Sequence, residues 1–291
     1  MSLKQKLESV IQGASGTFGV AVKHLQTNET ATINGERLFQ LASTFKIPIL
    51  ATLYRDVQEG KISLTQRIKI TEEDLVPGSG VIQQLDSGVE VTVKDLAMLM
   101  IIVSDNLATD RILKLVGTDE TTSYMRELGL EKTYIRHSCW DLLSLSVGLK
   151  PEPYSQEALK RITAWKFDPN SIAFQSDPEN NVGTPHDMAK LAELIATRKI
   201  ISEDACEGMM EILFRQQFNS RLPYYLPPEA KVAHKTGTLA SVVNDVGIIY
   251  LPYHKGMFTI AVLSEGNLTL EEGERTIGRL ARVAYDHFLN S

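Results

Sequence analysis

An α/β fold, an antiparallel sheet flanked by helices with an inserted all-helical lobe, is what three features of this sequence predict. Two β-like runs lie near the start, split by a polar turn, and three more lie close to the end. Between them fall three consecutive helical patterns over residues 92–128. Helical patterns also occupy both ends of the chain, where they can cover one face of a sheet.

Leu3 to Ile11 carries apolar residues at Leu3, Leu7, Val10 and Ile11, a helical period that packs one side against a sheet. Thr17 to Leu25 and Glu29 to Ile33 flank Gln26-Thr27-Asn28, polar turn material of hairpin length. A helix that starts at Ser43 runs to Gln58 and stops at Gly60. Pro48 removes one of its backbone donors, with limited damage this near the helix start. Residues 61–88 are turn-rich. Thr92 to Val103, Asn106 to Val116 and Glu120 to Leu128 read as helices, with Thr92, Asp105 and Thr118 as caps. Residues 137–183 are the least regular segment and contain Trp140, Pro151, Pro153, Trp165, Pro169 and Pro178. Helices return at Thr184 to Thr197 and Ser202 to Phe214, and Arg221 to Pro228 is a Pro/Tyr-rich connection. Strands follow at Lys231 to Thr236, Ser241 to Leu251 and Gly256 to Leu263. A closing helix, Thr269 to Leu289, aligns Leu270, Ile277, Leu280, Ala284 and Phe288 on one side.

At 291 residues the chain suits a single domain with two lobes. The sheet lobe is expected over 1–42 and 190–291 and the helical lobe over 43–189. Lysine and arginine number 30 against 36 acids, a formal charge of −6, and no basic run has interleaved aromatics. That balance argues against a nucleic-acid partner. The longest uninterrupted apolar run, Leu96 to Val103, is far short of the roughly 20 residues that a membrane helix needs. Met1 to Gly13 has no apolar signal-peptide core. A cytoplasmic protein fits if the chain is complete, a secreted or cell-envelope one if an export signal was removed. Cys139 and Cys206 are the only cysteines and form no C-x-x-C, so they read as buried thiols, with a disulfide between them left open. No metal or cofactor is expected, and the chain is expected to be a monomer.

Ser43-Thr44-Phe45-Lys46 places a hydroxyl and an amine three residues apart, on one face of a helix start. A neutral Lys46 amine there can take the proton of Ser43 as the hydroxyl attacks. Burial and a second lysine nearby lower a lysine's pKa. Taken alone the tetrapeptide is also an ordinary solvated helix turn. Two partners follow it, Ser104-Asp105-Asn106 and Lys235-Thr236-Gly237-Thr238. The ordered trio S-x-x-K, S-D-N and K-T-G resembles the class A-like serine β-lactamases and penicillin-recognising serine hydrolases. Glu73 to Pro77, Gly183-Thr184-Pro185 and Met188-Ala189 extend that likeness along nearly the whole chain.

The resemblance implies a β-lactamase/DD-peptidase-like fold and a Ser43 acyl-enzyme. Lys46 would be the proton acceptor, Ser104 the relay to the departing nitrogen, and Lys235 the group that holds Ser104 and the substrate carboxylate. Asn106 would bind a substrate amide, and Thr236 and Arg221 would contact the carboxylate. On an edge strand, the Thr238 N–H would join that of Ser43 in an oxyanion hole, while Gly237 lets a ligand backbone approach. Gly78 stands where the family often has an aromatic residue, which suggests a more open mouth. The substrate would be a small β-lactam or an acyl-D-amino acid.

One part of the pattern is missing. The hydrolytic glutamate motif, E-x-x-L-N, has no counterpart after Thr133, and His137-Ser138-Cys139-Trp140-Asp141-Leu142-Leu143 occupies its place. Cys139 or Asp141 falls nearest the glutamate, and Asp141, Glu152 and Glu157 are the candidate replacements. Slow deacylation is the expectation, with a D-alanyl-D-alanine carboxypeptidase, an esterase or a non-turnover penicillin-binding sensor as alternatives. The absence of G-x-S-x-G and of H-E-x-x-H argues against a Ser-His-Asp or a metallo-hydrolase. His234 reads as a strand side chain.

Overall fold

The structure, a computed structural model, describes residues 1–164 and 166–290; Trp165 lies outside the described residues. Helix α1 (Leu3–Ile11) opens with a capping box between Ser2 and Gln5. Strands β1 (Thr17–His24) and β2 (Thr30–Ile33) form the first hairpin. The short strand β3 (Phe39–Gln40) leads into a 3-10 turn at Ala42–Phe45 and then helix α2 (Lys46–Gln58). Pro48 is the third residue of α2, so its missing N–H falls among first-turn donors that have no helical partner. Strands β4 (Arg67–Lys69) and β5 (Glu90–Thr92) pair as a small ribbon.

Helices α3 (Val93–Ile102), α4 (Asn106–Val116) and α5 (Thr118–Glu127) build the helical lobe. Thr92 and Asp105 cap α3 and α4 as expected. Thr118 is instead the first helical residue of α5, which is entered through Gly117 at φ 83° without a side-chain cap. The stretch 137–183 holds more order than its prolines suggest: α6 (Cys139–Ser146), α7 (Gln156–Thr163) and a short strand β6 (Val182–Gly183) paired with β3. Then come α8 (Pro185–Ala196), α9 (Glu203–Phe214), β7 (Val232–Leu239), β8 (Val242–Tyr250), β9 (Met257–Glu265) and α10 (Leu270–Leu289).

The main sheet is ordered β2-β1-β9-β8-β7 with every neighbouring pair antiparallel, which leaves β7 at an edge. Alternation along the strands sorts side chains to two faces. Phe18, Val20 and Val22 of β1 join Phe258, Ile260 and Val262 of β9 in a core with α1 and α10. Ala21, Ala233, Ala261 and Leu263 belong to the other core, shared with α2 to α4, α8 and α9. α8 packs on β1, β8 and β9 and spans residue 190, where the two lobes were expected to part. Leu270 is 48% exposed although the helical period puts it on the buried stripe of α10. The helix meets the sheet only from Gly273 onward, where a Cβ would lie 2.9 Å from Val243.

Asn244 of β8 ties this frame to the segment that carries Ser43. Fully buried, it donates from Nδ2 to Gln40 O at 2.9 Å and Leu41 O at 3.0 Å, and its Oδ1 accepts the Ser264 N–H at 2.8 Å. Removing it leaves Gln40 O and the Ser264 N–H without these buried partners, while Leu41 O keeps the N–H and hydroxyl of Thr44. Asn244→Ala is therefore expected to lower stability by about 2–4 kcal/mol, read as a fall in the urea midpoint at unchanged slope.

Candidate active site

Ser43 is half-buried in the 3-10 turn and borders both a cavity of about 410 Å³ and a smaller one of about 80 Å³. Its turn is entered through Ala42 in the left-handed region at φ 44°, with the Ala42 N–H held by Gln40 Oε1. From the sequence Gly237 is expected to admit a ligand backbone; what it admits is the nucleophile's own turn. A Cβ on Gly237 would lie 2.8 Å from Leu41 O, 2.9 Å from Thr44 N and 3.0 Å from Ser43 N, because this residue points to the sheet face on which the turn packs.

Lys46 is fully buried one turn further on. Its Nζ donates to Ser104 O at 2.8 Å, to Asn106 Oδ1 at 3.0 Å and to Ser104 Oγ at 3.1 Å. Burial lowers its pKa, against smaller opposing effects of Cys139, Asp110 and Asp105. Lys235 is also fully buried, with Nζ donating to Thr236 O at 2.7 Å. Burial, and after it the charge of Lys46, pushes Lys235 well below the ordinary lysine range. The influence of one lysine on the other thus falls on Lys235.

The joint between α3 and α4 supplies the oxygens around Lys46. Ser104 takes a left-handed φ of 56° to turn both its carbonyl and its hydroxyl to the amine. Asp105 is structural: Oδ1 accepts Ala108 N, and Oδ2 accepts Val81 N at 2.7 Å and Ile82 N at 2.9 Å. Gly80, at φ 122°, passes so near that a Cβ would lie 2.3 Å from Asp105 Cγ. Asn106 donates from Nδ2 to Pro77 O at 3.0 Å while its Oδ1 holds Lys46.

Thr236 and Thr238 line the larger cavity on β7, with Thr238 exposed. Arg221 lines it too, but its side chain is already engaged. Nη1 donates to Gly237 O and Asn244 O, both at 2.7 Å, Nη2 to Thr238 Oγ1, and Nε to Glu274 Oε1 at 3.2 Å. A buried guanidinium must satisfy its donors, so Arg221 clamps β7 to β8 and orients the Thr238 hydroxyl. His234 sits on the opposite face of β7 from Lys235, buried, with Nδ1 3.0 Å from both Asp245 oxygens and Nε2 3.2 Å from Asn219 Oδ1.

The start of α6 stands where the resemblance places a hydrolytic glutamate. Asp141 is occupied by the capping box of that helix, its Oδ2 accepting the Ser138 N–H at 3.0 Å. Glu152 and Glu157 are exposed. Cys139 instead lines the smaller cavity together with Ser43, Asn106, Leu142 and Leu143. Its thiol is buried and pushed up by that burial, away from the thiolate. Asp110, one helical turn beyond Asn106 on α4, accepts the backbone N–H groups of Cys139 at 2.6 Å and Trp140 at 2.9 Å. Burial raises its carboxyl to about 6 in spite of those two bonds. No motif marks Asp110 in the sequence, although its i+4 spacing from Asn106 puts it on the motif's own helix face.

Cys206 is buried like Cys139, and both are free thiols. Among the described residues no cluster of three or more His, Cys, Asp or Glu side chains could hold a metal, and no helix is long and apolar enough to cross a membrane.

Residues 2–288 match the model of the beta-lactamase enzyme family. Beta-lactamase VEB-1 of Pseudomonas aeruginosa is 26% identical over 99% of this chain and 91% of that protein. A solved β-lactamase from Sphaerobacter thermophilus has a TM-score of 0.80 at 30% identity, covering 98% of this chain and 96% of its own. PBP-A, solved as a mutant in an acyl-enzyme complex with penicillin G, has a TM-score of 0.80 at 25% identity, covering 99% of this chain and 96% of its own.

The Asp110 carboxyl gives a pH signature. Its folded pKa of about 6 lies above the ordinary aspartate value of 3.8, so protonation favours the folded state. The contribution is complete below about pH 4 and is lost as pH rises through about 6. Relative to Asp110→Asn, the native protein is expected to gain about 2 kcal/mol between pH 7 and pH 4, measured from paired urea titrations. A difference that stays flat with pH would contradict this.

Proposed function

The chain belongs to the beta-lactamase enzyme family, and on that premise we propose that it opens β-lactam amides through an acyl-enzyme on Ser43 and releases the product slowly. Ser43 Oγ attacks the ring carbonyl and passes its proton to Lys46, whose burial favours the neutral amine. The ring C–N bond breaks as the ester forms. Ser104, hydrogen-bonded to Lys46, hands its proton to the departing nitrogen and takes from Lys46 the one that came from Ser43. The Ser43 and Thr238 N–H groups receive the oxyanion, where one donor contributes about 3 kcal/mol in sites of this type. Asn106 and Thr236 position the amide and the carboxylate.

Lys235 lies behind Thr236. A bound carboxylate favours the charged form of Lys235, and the coupling between the two lysines then favours the neutral form of Lys46. Substrate would in this way prepare its own base.

The observation that carries the slow second half is the wall beside Ser43, made of Cys139, Leu142 and Leu143. Water attack on the ester needs a base, and a thiol held protonated by burial is not one. The same wall favours a second reading, a penicillin-binding protein that acylates once, and the likeness to PBP-A supports it.

Intact-protein mass after mixing with a simple penicillin tests both halves. The native protein is expected to gain one antibiotic mass and keep it through many minutes, and Ser43→Ala to gain none. Cys139→Glu, which offers a carboxylate at the wall, is expected to shorten the adduct's lifetime at least about tenfold. Labelling of Ser43→Ala would remove the assigned nucleophile, and rapid turnover by the native protein would remove the slow step.

A further inference from the structure

We propose that the outer part of the larger cavity is a subsite for a cationic substituent on the leaving-group half of the substrate, formed by Glu274 and Phe218. The inference rests on the acyl-enzyme reading above, since it assumes that the reacting carbonyl lies at Ser43.

Arg221 and Glu274 are the only charged side chains that line this cavity among the described residues. They are not equally available. Four of the five Arg221 N–H groups donate to protein acceptors, and the residue is 4% exposed. A ligand therefore meets little of its charge. Glu274, on α10, is open: its side chain is 21% exposed, and both of its hydrogen bonds, from Ser220 Oγ at 2.7 Å and Arg221 Nε at 3.2 Å, fall on Oε1. Oε2 has no hydrogen-bond partner among the described residues.

The position of that carboxylate follows from the clamp. Neighbouring nitrogens of the guanidinium hold the two groups, Nη2 the Thr238 hydroxyl and Nε Glu274, so the carboxylate borders the same cavity as the residues that flank Ser43. Phe218, in the loop before Arg221, lines the same cavity and is 45% exposed. A carboxylate and an accessible aromatic face together favour a cation, by charge and by the ring quadrupole. An anionic substituent there would meet Glu274 with no free cation to offset it. A leaving group that carries its cation a few atoms beyond its carboxylate fits both ends, the carboxylate at Thr236 and Thr238 and the cation at Glu274.

Two cephalosporins with the same acyl side chain, one with a neutral acetoxymethyl group and one with a pyridiniummethyl group, provide the probe. The quantity read is the ratio of their second-order rates of Ser43 acylation, cationic over neutral, so intrinsic reactivity cancels between variants. Glu274→Gln is expected to lower this ratio about threefold and Phe218→Leu about twofold, and the Glu274 effect should shrink in high salt. Phe218 is an exposed loop residue, so its variant keeps the test open if Glu274→Gln weakens the Arg221 clamp. A ratio unchanged in both variants overturns the subsite while acylation proceeds. Failure of both cephalosporins to label native Ser43 would overturn the acyl-enzyme reading itself, and this inference with it.

Discussion

The site closes on a single buried lysine amine. Lys46 belongs to α2, but each oxygen that receives its Nζ comes from Ser104 or Asn106 at the joint of α3 and α4. A lysine amine taken out of water is unfavourable unless such partners are present, so packing α2 into the lobe fixes that joint as well. The left-handed φ of Ser104 accompanies this: with that turn of the backbone both its carbonyl and its hydroxyl face one amine. Asp105 then holds the 80s loop, and Asn106 holds Pro77. The mouth of the cavity is therefore built outward from the amine.

Local spacing explains which parts of this were legible in the sequence. Ser43 and Lys46 share one helical turn, and Thr92 and Asp105 announce their helices as caps, so these features survive without tertiary information. The strand-like runs near both ends of the chain likewise gave away the main sheet. The ribbons β3–β6 and β4–β5 were not readable, because strands of two or three residues are defined by their partners and have no period of their own. The same holds for α6 and α7, which at eight residues each span barely two turns between prolines. The role of Arg221 was hidden for another reason. Its position beside the cavity can be inferred from spacing, but whether its donors face a ligand or the protein depends on acceptors in β7, β8 and α10 that lie far away in sequence.

Asp110 shows how one carboxylate can define a site without taking part in its chemistry. Each of its oxygens receives a backbone N–H at the start of α6, where the helix dipole also favours negative charge. Those bonds set the direction in which Cys139 enters the smaller cavity. Both oxygens are directed at amides, so the acid nearest the cavity is engaged in holding the wall rather than in polarising water. A cysteine at that wall is compatible with this arrangement, since a small, weakly polar side chain can be buried beside Leu142 and Leu143 with only the weak thiol contacts to Asp110 and Thr109. A carboxylate placed there would need a partner of its own.

Three basic side chains, Lys46, Lys235 and Arg221, are buried within this one region, and two non-glycine residues, Ala42 and Ser104, adopt left-handed backbone. Each left-handed residue costs on the order of 1–3 kcal/mol and persists only where its surroundings impose it. What imposes them here is a set of buried hydrogen bonds, from Asn244 to Leu41, from Arg221 to Gly237 and from Lys46 to Ser104, that link the edge of the sheet to the helical lobe. The groups that face the cavity, Ser43, Thr238 and Glu274, all hang from that network. Because the basic groups behind them already donate to protein oxygens, the cavity offers hydroxyls and one partly open carboxylate rather than a field of free positive charge. On the proposed reading, a substrate's carboxylate is then recognised by short hydrogen bonds at Thr236 and Thr238 and by the coupled lysines behind them, and discrimination between substrates is left to the part of the cavity that Glu274 faces.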